Sequence, residues 1–486
     1  MAEPVFSEGI VTLDRAGDIP LPEQIYREVR QAVRTGLLTS GTRLPSTRRL
    51  ASSLDVARNT VNTAYELLQA EGIISVRPGA APRIAENLLP EGAPSGSPGR
   101  VADPVLSGRG ERLAVNLRGE GWLSDDGALR PGAPALDCFP YEEWARCLRR
   151  AARHERSADL QYRNYTGVPA LKRQLARHLA AERGVRAAPD QILVTGSMQA
   201  SLALLSQALA DTGDEVWLEN PGYLGARTAF HAAGLRIRPL PVDAQGADAA
   251  QMSAMGGAPK LIYVTPSHHY PLGARMPLAR RLVLLEAARS AGAVILEDDY
   301  DSEFLFSGRP VAALYGLAAE GQVIYLGTFS KSLMPGLHIA FCVVPSPLVE
   351  PMSQLMRNMG CAANVQAQAA LARFMDGGAY QKHLKLIRHV YEERGTHLFE
   401  TLNRRLGNRL EVAPPTGNVQ VAVKFRDPVD DVGVARAMQK KGFSVSPLSS
   451  CYLDRDHRNG LIIGFAGATA EQIERGAEAL AGLLEA

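Results

Sequence analysis

Lys331 closes the run Gly327-Thr328-Phe329-Ser330-Lys331, directly after an apolar stretch. A lysine flanked by hydroxyls and partly removed from water can lose its proton and condense with an aldehyde to form a Schiff base. Upstream, Glu297-Asp298-Asp299-Tyr300-Asp301 ends another apolar run. Two chemistries suit it: Mg²⁺ or Ca²⁺ on Glu297, Asp298 and Asp301, or one buried aspartate holding a protonated heterocyclic nitrogen while Tyr300 donates to a ring oxygen. In Val194-Thr195-Gly196-Ser197-Met198-Gln199 a strand passes through Gly-Ser into a helix, and a helix start with a serine hydroxyl is an anion site suited to phosphate. Pro221-Gly222-Tyr223 is a turn able to set an aromatic ring against a flat ligand. A phosphate cradle, a carboxylate for a pyridinium nitrogen, a stacking ring and a Schiff-base lysine together are what pyridoxal 5'-phosphate (PLP) requires.

The elements that must position these groups alternate. Short β-rich runs at 191–195, 215–218, 235–240, 261–265, 293–297, 323–326 and 341–344 are interleaved with helical stretches such as 199–210 and 278–291. That rhythm predicts an α/β fold around a mostly parallel sheet, whose ligands gather at the C-terminal ends of the strands.

The first 85 residues read differently. Leu21, Ile25, Val29 and Val33 form the stripe of an amphipathic helix, broken by Gly41 and Pro45. Ser46 is an N-cap for a helix to Leu54, and a second helix runs from Arg58 to Ala70 after the tight connection Leu54-Asp55-Val56-Ala57. Strands at 73–76 and 83–85, joined through Pro78-Gly79, complete a winged helix-turn-helix. Val61, Ala64, Tyr65 and Leu68 share one face of the second helix, which leaves Arg58, Asn59, Thr60 and Asn62 toward its exposed start, where a recognition helix meets base edges. Ser46 and Thr47 are placed to bond phosphates, and Arg43, Arg48, Arg49 and Arg58 stand against Asp55 alone in a short basic patch. A solvated face on a protein-interaction module is the alternative.

Between the two parts, residues 87–110 contain four Pro, five Gly and three Ser, a composition that predicts a flexible tether. The expected domains are 18–86, a linker 87–111 and 112–486. The whole chain, 46% hydrophobic and 21% charged with net charge +2, excludes wholesale disorder, and no apolar run is long enough to cross a bilayer. The first residues carry no signal-peptide pattern, and the five cysteines, widely spaced without a C-x-x-C pair, read as reduced thiols of a cytoplasmic protein. No H-E-x-x-H or Cys/His cluster supports a metal site.

Arg43-Leu44-Pro45-Ser46-Thr47-Arg48-Arg49-Leu50-Ala51, Val56-Ala57-Arg58-Asn59-Thr60-Val61 and Tyr65–Gly72 resemble the GntR-type winged-helix domain, which implies DNA contacts by Arg48 and Arg58. The wing, Arg77-Pro78-Gly79-Ala80-Ala81-Pro82, lacks that family's usual Gly-Ser-Gly run. From about residue 120 onward the chain resembles class I aminotransferases of PLP fold type I. That resemblance implies an internal aldimine on Lys331, Asp298 on the pyridine nitrogen, Tyr300 on the ring hydroxyl and Tyr223 stacked on the ring. It places the phosphate on Ser197, the Met198 backbone N–H, Thr328 and Ser330, with Tyr162 reaching the phosphate of a partner subunit. Head and body together resemble the MocR subfamily of bacterial regulators. Such a protein is expected to be a cytoplasmic, head-to-tail homodimer that binds double-stranded operator DNA and senses PLP, with or without an amine effector.

Two positions depart from the aminotransferase pattern. His338 stands where the family has a phosphate-gripping arginine, which implies weaker, pH-dependent and exchangeable PLP binding. Ile462 stands where an arginine clamps a substrate carboxylate; Arg227, Arg455 or Arg458 are candidate substitutes, and His268 and His269 are placed near the cofactor or an effector. A sensor is therefore expected in place of a turnover enzyme; an active aminotransferase with an appended DNA-binding head is the alternative, and a large domain serving only as a dimerisation scaffold is a third reading.

Overall fold

The computed structural model describes residues 9–77, 80–86, 105–114, 127–154, 163–308, 311–454 and 458–485. The chain divides into two compact units, 1–105 and 106–486.

In the first unit, α1 (Leu21–Arg34), α2 (Thr47–Ser53) and α3 (Arg58–Ala70) are followed by the two-residue strands β1 (Ile74–Ser75) and β2 (Arg83–Ile84), paired antiparallel. Ser46 caps α2 by accepting the Arg49 N–H, so the chain enters the helix where the sequence places it. Asp55 takes φ +51° in the connection between α2 and α3. Ile25, Val29, Leu44, Leu50, Val61, Tyr65, Leu68, Ile74 and Ile84 close one small core. Residues before α1 belong to it as well: Val11 is buried, and Arg15 donates to the carbonyls of Leu54 (3.1 Å) and Asp55 (2.7 Å), pinning the turn between α2 and α3. The wing turn at Pro78-Gly79 and the tether at 87–104 lie outside the described residues. The tether does not extend to residue 111, because Gly108–Ala114 forms a short helix, α4, whose start is tied by the Ser107 hydroxyl accepting the Gly110 N–H.

The second unit continues with α5 (Tyr141–His154), α6 (Pro169–Arg183), β3 (Ile192–Thr195), α7 (Met198–Leu209), β4 (Glu215–Asn220), α8 (Leu224–Ala233), β5 (Arg236–Asp243), β6 (Gly246–Ala247), α9 (Ala249–Met255), β7 (Leu261–Val264), α10 (Leu278–Ala291), β8 (Val294–Asp298), α11 (Leu314–Leu317), β9 (Val323–Thr328) and β10 (Ala340–Val343). The eight strands form one sheet in the order β3-β10-β9-β8-β7-β4-β5-β6. The five central strands are parallel, while β10 runs antiparallel to both β3 and β9. Continuous apolar runs such as Leu-Ile-Tyr-Val in β7 are buried throughout, as a sheet covered on both faces requires.

After α12 (Val349–Met359), α13 (Val365–Asp376) and the 28-residue α14 (Ala379–Leu406) comes a smaller antiparallel sheet. It is built from β11 (Leu410–Glu411), β12 (Gln420–Phe425), β13 (Ser446–Pro447) and β14 (Gly460–Gly464), in the order β11-β12-β14-β13, with α15 (Asp431–Lys440) and α16 (Ala470–Glu485). The sequence rhythm marks the seven longer strands of the large sheet but neither β6 nor most of this second sheet, of which β11 and β13 are only two residues long.

The turn after β8 is held by buried ions. Arg183 on α6 donates to Asp299 at 2.6 Å and to the Ser267 hydroxyl at 2.8 Å, and Tyr325 and Ser302 donate to the same Asp299 oxygen. Burial alone would raise the Asp299 pKa, but the Arg183 charge and these donors outweigh it and hold the carboxyl below its ordinary value. Removing one partner leaves an unpaired buried charge. Arg183→Met is therefore expected to cost about 3–5 kcal/mol, read as a lowered urea midpoint. Adding Asp299→Asn should recover part of the loss; equal midpoints for wild type and the single variant would contradict this.

Candidate functional site

The C-terminal ends of the parallel strands deliver the site. β8 ends in Asp298, β9 in Thr328 and β4 in Asn220, followed by the cis Asn220–Pro221 bond and Tyr223 at the start of α8. β3 leads through Gly196 to Ser197, which caps α7 by accepting the Ala200 N–H at 3.1 Å, so the first backbone N–H groups of α7 point to the same edge. A cavity of about 120 Å³ lies there. It is lined by the expected Met198, Tyr223, Asp298, Tyr300, Thr328, Ser330 and Lys331. Gly132, Tyr263, Thr265, Tyr270 and Gln420 also line it and carried no sequence signal.

Lys331 Nζ donates to the Gly132 carbonyl at 2.9 Å. Gly132 has φ +73°, a conformation that favours glycine, and a Cβ there would sit 2.4 Å from Nζ, so a side chain at this position would push the flexible lysine end aside. Burial lowers the Lys331 pKa to about 8, with the Asp301 charge opposing that shift and Arg130 adding to it. Asp298 is 3% exposed, and burial raises its pKa to about 7, with Tyr263 opposing that shift as a donor. Tyr263 donates to Oδ2 at 2.5 Å, whereas Oδ1 is buried with no hydrogen-bond partner among the described residues. Thr328 Oγ1 and Ser330 Oγ lie 2.9 Å apart, and the Ser330 N–H donates to Thr328 Oγ1 at 3.2 Å, which places two hydroxyls beside each other. Tyr223, Tyr270 and Tyr300 meet edge to face, with centroids 5.4 Å and 6.3 Å apart.

The carboxylates after β8 do not converge on a cation. Glu297 accepts the N–H groups of Leu314 and Tyr315, Asp299 faces Arg183, and Asp301 bonds His268 Nδ1 at 2.9 Å. Among the described residues no group of three acidic, histidine or cysteine side chains could hold a metal ion. The Mg²⁺ or Ca²⁺ reading therefore fails, because the tertiary fold gives each carboxylate its own partner in a different direction. His269 is a core residue: its Nε2 lies 3.0 Å from the Pro221 carbonyl, and burial lowers its pKa to about 3, so the ring is neutral. His338 follows the 3-10 turn Pro335–Leu337 with φ +51° and an exposed side chain, and it does not line the cavity. Tyr162 and Arg455 lie outside the described residues.

In the first unit, Arg43, Ser46, Arg48, Arg58 and Asn59 are exposed, and Thr47, Thr60 and Asn62 are half-buried. Arg58 Nε lies 3.4 Å from Thr47 Oγ1, so the starts of α2 and α3 are neighbours. Tyr65 fixes that geometry from below by donating to the Pro45 carbonyl at 2.9 Å.

The family described as "Bacterial regulatory proteins, gntR family" matches residues 21–84, and "Aminotransferase class I and II" matches residues 133–480. The probable rhizopine catabolism regulatory protein MocR of Rhizobium meliloti is 39% identical over 97% of this chain and 95% of its own length. This chain belongs to the MocR-type regulators. It is a helix-turn-helix transcription regulator with a DNA-binding GntR head and an aminotransferase-like body. The pyridoxine biosynthesis regulator PdxR of Corynebacterium glutamicum is 29% identical over 92% of each chain. Among solved structures, the kynurenine aminotransferase of Pyrococcus horikoshii superimposes with TM-score 0.69 at 29% identity, covering 75% of this chain and 92% of its own. The fold is thus that of PLP enzymes, and it implies a PLP site. No helix among the described residues is long and apolar enough to cross a membrane.

Tyr263 is one of the lining residues that the sequence does not single out. Its position inside the apolar run of β7 reads as core, and only the pairing of β7 with β8 brings its hydroxyl to Asp298. Tyr263→Phe removes the donor that favours the ionised carboxylate. PLP affinity is expected to fall about fivefold, the worth of one hydrogen bond of about 1 kcal/mol, measured by titrating the apoprotein with PLP. An unchanged dissociation constant would remove Tyr263 from the site.

Proposed function

We propose that the body of this regulator is a sensor that binds PLP, and an amine presented to it, in the cavity around Lys331. The observation that carries the proposal is the pairing, in one cavity, of Lys331, whose pKa burial lowers to about 8, and a buried aspartate with one oxygen unpartnered among the described residues. That oxygen matches a protonated ring nitrogen, and Tyr300, Tyr223 and the hydroxyls of Ser197, Thr328 and Ser330 supply the remaining contacts that a flat, phosphorylated pyridine needs. PLP contributes an electrophilic carbonyl carbon able to condense with Lys331 or with an incoming primary amine. The chain's own residues set the conditions: the Gly132 carbonyl accepts from Nζ, burial keeps a fraction of the lysine neutral near neutral pH, and Asp298 would hold a protonated ring nitrogen.

Sensing rather than turnover is supported by Ile462. It is fully buried in β14, within a cluster of Leu224, Tyr270, Leu448 and Cys451, and it brings no charge to an α-carboxylate, whose burial unpaired would be costly. Arg227 lies half-buried nearby, bonded at 3.4 Å to the Tyr452 carbonyl, and Arg458 is exposed. The exposed His338 supports exchangeable PLP binding, since no arginine fork grips the phosphate from that position. The active unit is a homodimer, with Tyr162 completing the partner's phosphate site and Arg43, Ser46, Thr47, Arg48, Arg58, Asn59, Thr60 and Asn62 meeting operator DNA. A ligand acts on transcription by binding two conformations of that dimer unequally.

The purified protein with added PLP is expected to show a visible absorbance band that Lys331→Ala loses and a PLP dissociation constant that His338→Arg lowers. A colourless wild type ends the proposal, and multiple turnovers of amino acid to keto acid would turn it into an aminotransferase. For the head, Arg58→Ala is expected to weaken binding to a duplex from upstream of the gene and to reduce the log–log salt slope by about 1. Anisotropy titrations over a salt series measure this, and an unaltered slope would remove Arg58 from the phosphate contacts.

A further inference from the structure

Only Pro221, Gly222 and Tyr223 separate β4 from α8, and a segment from beyond β13, residues 449–454, is fastened across this turn. The Gly222 N–H donates to the Cys451 carbonyl at 3.0 Å. The Asn220 side chain meets the same segment at two points: Oδ1 accepts the Leu453 N–H at 2.9 Å, and Nδ2 donates to Asp454 Oδ2 at 2.7 Å. A backbone N–H only donates and an ionised carboxylate only accepts, so both ends of the amide are specified, and neither an aspartate nor a leucine here answers both. Arg227, in the first turns of α8, donates to the Tyr452 carbonyl at 3.4 Å. The root of the segment is held independently. Asp431, 2% exposed at the start of α15, accepts the Ser449 N–H at 2.9 Å, the Ser449 hydroxyl at 2.6 Å and the Gly460 N–H at 3.1 Å. The second sheet thus sends out a strap whose base is tied by Asp431 and whose far end is tied by Asn220.

What the strap fastens is the approach to Tyr223, which lines the Lys331 cavity. The Tyr223 ring lies back over the first turn of α8, where a Cβ on Gly225 would sit 2.4 Å from its ring carbons, and it meets Tyr270 edge to face. Gln199 Nε2 on α7 donates to the Gly225 carbonyl at 3.0 Å, so the turn beneath the ring is tied to the helix that starts at Ser197 and Met198. These contacts set the ring relative to its helix; the path of the backbone that leads into it is set at 220–222. Pro221 has no N–H, and that of Gly222 is spent on Cys451. A glycine-containing turn has many backbone states, so the bonds made to it from outside decide which one it keeps.

We infer that Asn220 is a positioning residue: by clamping the 449–454 strap to the end of β4, it sets Tyr223 against the ring of the bound cofactor. This role presupposes the PLP-sensor reading and deepens it. Full-length apoprotein is titrated with PLP, following the visible band and its induced circular dichroism, which reports the packing of the ring. Asn220→Asp loses the donor and faces Asp454 with a second carboxylate; PLP is expected to bind about tenfold more weakly, the worth of a lost charge-assisted hydrogen bond, with an altered dichroic band. The swap Asn220→Asp with Asp454→Asn reverses the direction of that bond while keeping the Leu453 acceptor, and it is expected to restore affinity and band. In a Tyr223→Leu background, Asn220→Asp is expected to cost no further affinity. Should Asn220→Asp not fold, Asp454→Leu breaks the clamp from its exposed side and is read the same way. Unchanged affinity, a swap that restores nothing, or an equal loss with and without Tyr223, as a purely structural role would give, each overturns the inference. Failure of the wild type to bind PLP would sink the sensor reading itself, an outcome seen before any variant is compared.

Discussion

Carboxylates crowded at the dry ends of β4 and β8 are the constraint on which the site is built. Glu219, Glu297, Asp298, Asp299 and Asp301 are all buried, and a buried carboxylate persists ionised only where donors or cations hold it. The fold supplies partners one by one, enough to hold Asp299 below its ordinary value, while burial still raises Glu219 to about 8, Glu297 to about 7 and Asp301 above its own ordinary value. Thr265 donates twice to Glu219, two backbone N–H groups and Arg281 face Glu297, Arg183 faces Asp299, and His268 faces Asp301. Asp298 is the member of this set that lines the Lys331 cavity; like Glu219, Asp299 and Asp301, it keeps one buried oxygen without a hydrogen-bond partner among the described residues.

The lysine is governed by the same low-dielectric environment with the opposite sign. Burial favours its neutral form, and the charges of Asp301 and Asp298 draw it back, so its pKa settles between that of a solvated ammonium and that of a wholly desolvated one. Close packing against Gly132 then fixes where the nitrogen lies. A nucleophilic amine, a carboxylate and a tyrosine cluster are thus arranged about one cavity. The second sheet contributes to it through Gln420 at the start of β12, which pairs with Gly464 of β14.

The head follows a simpler logic. Its core is small, so individual hydrogen bonds matter: Ser46 caps α2, Tyr65 ties α3 to Pro45, and Arg15 staples the turn between α2 and α3. The last of these was invisible in the sequence, because nothing in the spacing of Arg15 and Asp55 indicates that residues before α1 fold back upon the helix-turn-helix.

Much of this protein was legible in its residues alone. The apolar stripe of α1, the Ser46 cap, the strand–turn–helix at Ser197 and the strand ends before Asp298 and Lys331 follow from local rules, since periodicity, capping and turn chemistry act over a few residues. Those rules left the Glu297–Asp301 run open between a cation site and a heterocycle site. The tertiary structure speaks against the cation site, by turning Glu297, Asp299 and Asp301 toward separate partners. Tyr263, Gly132 and Gln420 were equally silent, one hidden in an apolar strand, one in a loop and one in a short second sheet. A residue's type fixes what chemistry it can do, but which groups meet is set by strand pairing and loop closure, across 199 residues for Lys331 and Gly132, and that is where the cavity is made.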